Sequence, residues 1–66
     1  MKYYDIHVNK NKAASYSIFF KANIDNEEEA LKYAIDHHLF EEDGDEQCVD
    51  YIRHTDEKDY HDATGE

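Results

Sequence analysis

Apolar and polar residues alternate from Tyr3 to Val8, with Tyr4, Ile6 and Val8 on one side and Tyr3, Asp5 and His7 on the other. That period of two predicts a half-buried strand. The polar stretch Asn9-Lys10-Asn11-Lys12, completed by Ala13, Ala14 and Ser15, reads as a turn. Alternation resumes from Tyr16 to Ala22, with Tyr16, Ile18, Phe20 and Ala22 opposite Ser17, Phe19 and Lys21. Two such runs joined by a short polar loop predict an antiparallel hairpin. The period then changes. Ala30, Leu31, Ala34, Ile35, His38 and Leu39 follow the i, i+3, i+4, i+7 spacing of one helix face. Asp25 is placed to cap this helix with Glu28 three residues on, Glu27, Glu28 and Glu29 lie at the positive end of its dipole, and Lys32 pairs at i,i+4 with Glu28 and Asp36.

The acidic run from Glu41 to Glu46, around Gly44, ends the helix, and Cys48 to His54 predicts a third strand. Its alternation admits two facings: Val49 and Tyr51 inward, or Cys48 and Ile52 inward. The cost of burying Asp50 without a partner favours Val49 and Tyr51. From Thr55 to Glu66 the hydrophobic residues are Tyr60 and Ala63, and the segment is expected to be an acidic, flexible tail. The expected fold is therefore α+β: a single ββαβ domain over residues 1–54, one helix packed on a three-stranded antiparallel sheet, with residues 55–66 as the tail. The second sheet face would then display Tyr3, Phe19 and Ile52, large apolar groups on an uncovered face. A homodimer formed through that face, or through an edge strand, is one reading of the chain.

Charge changes the picture. The 66 residues carry 17 Asp and Glu against 7 Lys and Arg, a net charge of -10. A protein that neutralises phosphates needs the opposite balance, so direct nucleic-acid binding is not expected. The charge is uneven: residues 1–26 sum to +2, residues 27–40 to -3 and residues 41–66 to -9. Cys48 is the sole cysteine, which excludes an internal disulfide and reads as a half-buried thiol. No apolar run approaches the roughly 20 residues of a membrane span, and Met1 to Asp5 lacks the apolar region of a secretory leader. A cytoplasmic setting is the expectation.

An EF-hand with Gly44 at its sixth position has Leu39 at its first, where a carboxylate is required, so the motif fails. His37 and His38 are adjacent and point about 100° apart on a helix, so they do not chelate one ion together. No Cys-x-x-Cys or His-Glu-x-x-His spacing occurs. His7 and Asp5 share a strand face without a nucleophile or pocket to complete a catalytic set. The two glycines, Gly44 and Gly65, form no phosphate-cradling pattern. No enzyme, cofactor or metal site is expected.

Acidity itself is the remaining chemistry. Carboxylates two apart on a strand, or four apart on a helix, lie about 6–7 Å from one another, near the spacing of successive phosphates. Glu41, Glu42, Asp43, Asp45, Glu46 and Asp50 form the densest cluster and the candidate partner-binding surface. With its acidic run Glu41 to Glu46, Tyr-rich strands and cysteine-poor chain, the protein resembles the small acidic anti-CRISPR and anti-restriction inhibitors of phages and mobile elements. That resemblance implies binding, inside a bacterial host, to a basic surface of a nucleic-acid-handling defence protein, as a DNA mimic without catalysis. The mildly basic hairpin departs from a uniformly acidic mimic and implies that one surface alone plays that part.

Overall fold

The computed structural model describes residues 1–11, 14–42 and 44–65. The chain runs β1 (Lys2–Asn11), β2 (Ala14–Ala22), α1 (Glu27–Asp36), a 3-10 turn (Asp45–Cys48), β3 (Val49–Thr55) and α2 (Glu57–Thr64). All strand pairs are antiparallel and the sheet order is β2-β1-β3. The α+β class and the ββαβ order follow the hydrophobic pattern, with a second helix added after β3.

The central strand β1 supplies the core. Tyr4, Ile6 and Val8 are fully buried, packed with Phe20 and Ala22 of β2 and with Ala30 and Ala34 of α1. The two alanines let the helix backbone approach the sheet closely, and full burial of each large apolar side chain is worth about 1.5–3 kcal/mol. Tyr4 stacks on Phe20 at 5.5 Å, and its hydroxyl donates to the Ile24 carbonyl. That bond ties the end of the hairpin to the start of α1.

Helix α1 begins one residue later than expected. Asn26, not Asp25, is the N-cap, and its Oδ1 accepts from the backbone N–H groups of Glu28 and Glu29 at 2.8 and 3.2 Å. Asp and Asn cap about equally well, so adjacent candidates are not separable by residue type. The helix also ends early, at Asp36. His38 takes a left-handed φ of 54°, its N–H bonding to Ile35 O and that of Leu39 to Ala34 O, a Schellman ending. His38 is therefore exposed rather than part of the apolar stripe.

The facing of β3 differs from the favoured reading. Ile6 pairs with Ile52 and His7 with Tyr51, but Val8 pairs with Val49, so Asp50 is the extra residue of a bulge. The bulge flips the parity between Val49 and Tyr51. Val49 and Ile52 both pack against the core, while Tyr51 lies on the opposite face, 46% exposed. Asp50 stays exposed, as its burial cost requires.

The segment from Thr55 to Glu66 is also corrected: Thr55 closes β3, and residues 57–64 form a helix rather than a flexible tail. Asp56 caps it, accepting from the Asp59 N–H at 2.7 Å, and Gly65 ends it at φ 76° with its N–H on the His61 carbonyl. Tyr60 anchors the helix at 6% exposure, its ring 5.0 Å from that of Tyr3 and under the Lys21 ammonium at 5.8 Å. One tyrosine thus seats α2 on the sheet face opposite α1.

Candidate protein-binding surface

The six acids singled out in the sequence do not form one free plate. Asp45 is buried, 4% exposed. Its Oδ2 accepts from the Tyr16 hydroxyl at 2.7 Å, and its Oδ1 lies 3.6 Å from the Lys10 ammonium. The same ammonium bonds Glu42 Oε2 at 2.6 Å. Gly44, at φ 91°, starts the 3-10 turn, and its N–H donates to Glu46 Oε2 at 3.0 Å. Asp45 and Glu42 therefore hold the loop after α1 to the turn end of the hairpin, and Glu46 braces the loop itself. Glu41 and Asp50 remain exposed without an internal role of this kind, and Asp43 lies outside the described residues.

Electrostatics of this knot follow from its burial. Desolvation, then the hydrogen bond to Asp45, pushes the Tyr16 hydroxyl up to about 12. The hydrogen bond to Glu42 is the main cause that raises the Lys10 ammonium above its ordinary value.

A second concentration of acids lies at the other end of the sheet. Asp25, Glu27, Glu28 and Glu29 surround the start of α1, and Asp56, Glu57 and Asp59 the start of α2; all are exposed. His54 near the end of β3 connects them, its Nε2 lying 3.8 Å from Glu27 Oε1 two residues before the α2 cap. The Tyr4 hydroxyl registers the field: burial first, then Asp25, Glu27 and Glu29, raises it above its ordinary value. Composition alone reads residues 55–66 as a tail and conceals this group. Its signals were an Asp cap at 56, an acid three residues on, and Gly65 at the helix end.

The proposed self-association face is also redistributed. Tyr3 is half-covered by Tyr60, Phe19 is half-buried opposite Asp5, and Ile52 belongs to the core face. Between Tyr3 and His7 the structure instead buries Asp5, 2% exposed, whose Oδ2 accepts from Arg53 Nε at 2.8 Å. That bond is the leading cause raising the Arg53 guanidinium above its ordinary value. His7 stacks on Tyr51 at 5.1 Å and faces Ser17 Oγ at 3.4 Å.

Among the described residues no three His, Cys, Asp or Glu side chains are arranged to hold a metal ion, and no helix is long and apolar enough to cross a membrane. Together, fold and surface define a small α+β protein of ββαβα order with acidic helix starts at one end and a tied acidic loop at the other. Comparison with protein-family models, with curated proteins and with solved structures finds no match for this chain.

Proposed function

We propose that the protein is a small acidic inhibitor that binds a basic, nucleic-acid-binding surface of another protein and acts without catalysis of its own. One observation carries the reading. Twelve acids stand exposed among the described residues, against five exposed Lys and Arg, and seven of them, Asp25, Glu27, Glu28, Glu29, Asp56, Glu57 and Asp59, gather at the starts of α1 and α2. Carboxylates carried on helix starts bind with a smaller ordering cost than the same groups on loose chain. Their field also speeds encounter with a cationic groove. The exposed contacts are Glu41 and Asp50 at one end and Glu27, Glu28 and Glu29 with Asp56, Glu57 and Asp59 at the other. Asp45 and Glu46 serve as supports for the loop. In its narrower form the partner is a CRISPR-Cas or restriction protein in the cytoplasm of a bacterial host.

The test is capture from a bacterial lysate by the immobilised chain at low and high salt, followed by challenge with nucleic acid. A mimic releases its partner in high salt and to DNA or RNA, and loses capture when Glu27, Glu28, Glu29, Glu41 and Asp50 become Gln or Asn. Capture indifferent to salt, to nucleic acid and to neutralisation would sink the proposal.

A further inference from the structure

The two edges of the sheet are guarded differently. β3 forms one edge and carries the devices that discourage pairing: a bulge at Asp50, with Asp50, Arg53 and His54 within seven residues. β2 forms the other edge over nine residues, with no proline, glycine or acid and with Lys21 as its one charge. Among the described residues its strand partner is β1 alone. About 30 Å of backbone therefore presents its outer N–H and C=O groups away from the sheet.

Charge selects the occupant of that edge. Between Asp5 and Asp25 the chain contains no acid and three lysines, Lys10, Lys12 and Lys21. β2 thus lies in the part of the chain from which the net charge of -10 is withheld. A basic partner is drawn to the acidic helix starts instead, and a second acidic copy meets least repulsion along β2. We propose that two copies of this chain pair antiparallel through β2, forming a continuous six-stranded sheet with both α1 helices on one face.

The register follows from side-chain matching. A two-fold axis at Ile18 sets Tyr16 opposite Phe20 of the partner subunit and Ser17 opposite Phe19 of the partner subunit. Aromatic groups then meet apolar or small groups on both faces. Lys21 falls opposite Ser15 of the partner subunit, which keeps the two ammonium groups about 20 Å apart along the strands. The pairing draws on none of the acidic side chains, so it goes beyond the basic-partner reading and stands or falls separately from it.

Sedimentation velocity on the purified full chain tests it. The expected result is a concentration-dependent species of twice the 7.8 kDa chain mass, more populated as salt screens the repulsion between copies. Ser15→Lys with Ser17→Lys places charge along the edge at two exposed positions and should return the chain to a single mass with unchanged circular dichroism. Cysteine placement reads the register even where the lysine variant folds poorly. In a Cys48→Ser background, Ile18→Cys should form an interchain disulfide, because Cα atoms across such a pair lie about 4.5–5.5 Å apart, within reach of an S–S bridge. Ser15→Cys, facing Lys21, should not. A native chain that stays at 7.8 kDa throughout, a dimer that survives both lysines, or equal cross-linking at positions 15 and 18 would overturn the proposal.

Discussion

The Tyr16 hydroxyl donates to Asp45 Oδ2 at 2.7 Å, joining β2 to a loop 29 residues away. Lys10, reaching the same carboxylate and Glu42, makes this a clasp between that loop and the turn end of the β1–β2 hairpin. The Tyr16 pKa of about 12 in the folded chain stands above the ordinary 10.0, so the folded state holds the phenolic proton more tightly. The associated stability is whole below about pH 10 and is lost as pH rises towards about 12. Lys10, raised by Glu42, acts in the same direction. Tyr16→Phe should cost about 1–3 kcal/mol at neutral pH and flatten the alkaline loss. Part of the slope should remain, because burial also raises Tyr4. Urea unfolding midpoints measured from about pH 8 to about pH 12 check both statements.

Helix α2 depends on one side chain. Tyr60 is its buried residue, resting on Tyr3 beneath Lys21. Removing a buried aromatic group costs about 3–5 kcal/mol in a closed core, and less at a terminal helix that can detach. Tyr60→Ala should therefore free α2 before the domain unfolds. Amide exchange would accelerate across residues 57–64 while Tyr4, Ile6 and Val8 keep their protection.

His38 occupies the position after α1 where glycine is usual. Its φ of 54° strains a side chain, and the Schellman bonds of His38 and Leu39 hold it there. His38→Gly should raise stability by up to about 1 kcal/mol, seen as a higher thermal midpoint. At the other end, Asn26→Ala should cost about 0.5–2 kcal/mol while Asp25→Ala changes little, since it is Asn26 whose side chain accepts the N–H groups of Glu28 and Glu29.

These elements also mark where sequence pattern carries structural information. β1, β2 and the middle of α1 were legible because each repeats its period over several apolar residues, as Tyr4, Ile6 and Val8 do. β3 was legible as a strand but not in its facing, because a bulge places Val49 and Ile52 on one face, three residues apart, and no period of two describes that. α2 was missed because its single large apolar residue makes no stripe. Its seat is Tyr3, 57 positions earlier, on a face that alternation alone reads as bare. The acidic residues were legible as composition but their arrangement was not. Nothing local distinguishes Asp45, turned inward to Tyr16 and Lys10, from Glu41, left in solvent.

The same long-range dependence governs Asp5. It sits on the central strand with Arg53 on one oxygen, while Oδ1 has no hydrogen-bond partner among the described residues. Arg53 is itself 59% exposed at its side chain, so the pair is buried on the carboxylate side alone. Removing Arg53 leaves the carboxylate in place without its donor, and Arg53→Met should cost about 1–3 kcal/mol. Replacing both partners removes the desolvated charge together with its counterion. The double variant Asp5→Leu with Arg53→Met should therefore recover most or all of that loss, as apolar replacements of buried pairs often do. Chemical denaturation of the single and double variants measures the coupling between the two sites. Additive losses in the double variant would mean that Asp5 contributes through something other than its bond to Arg53.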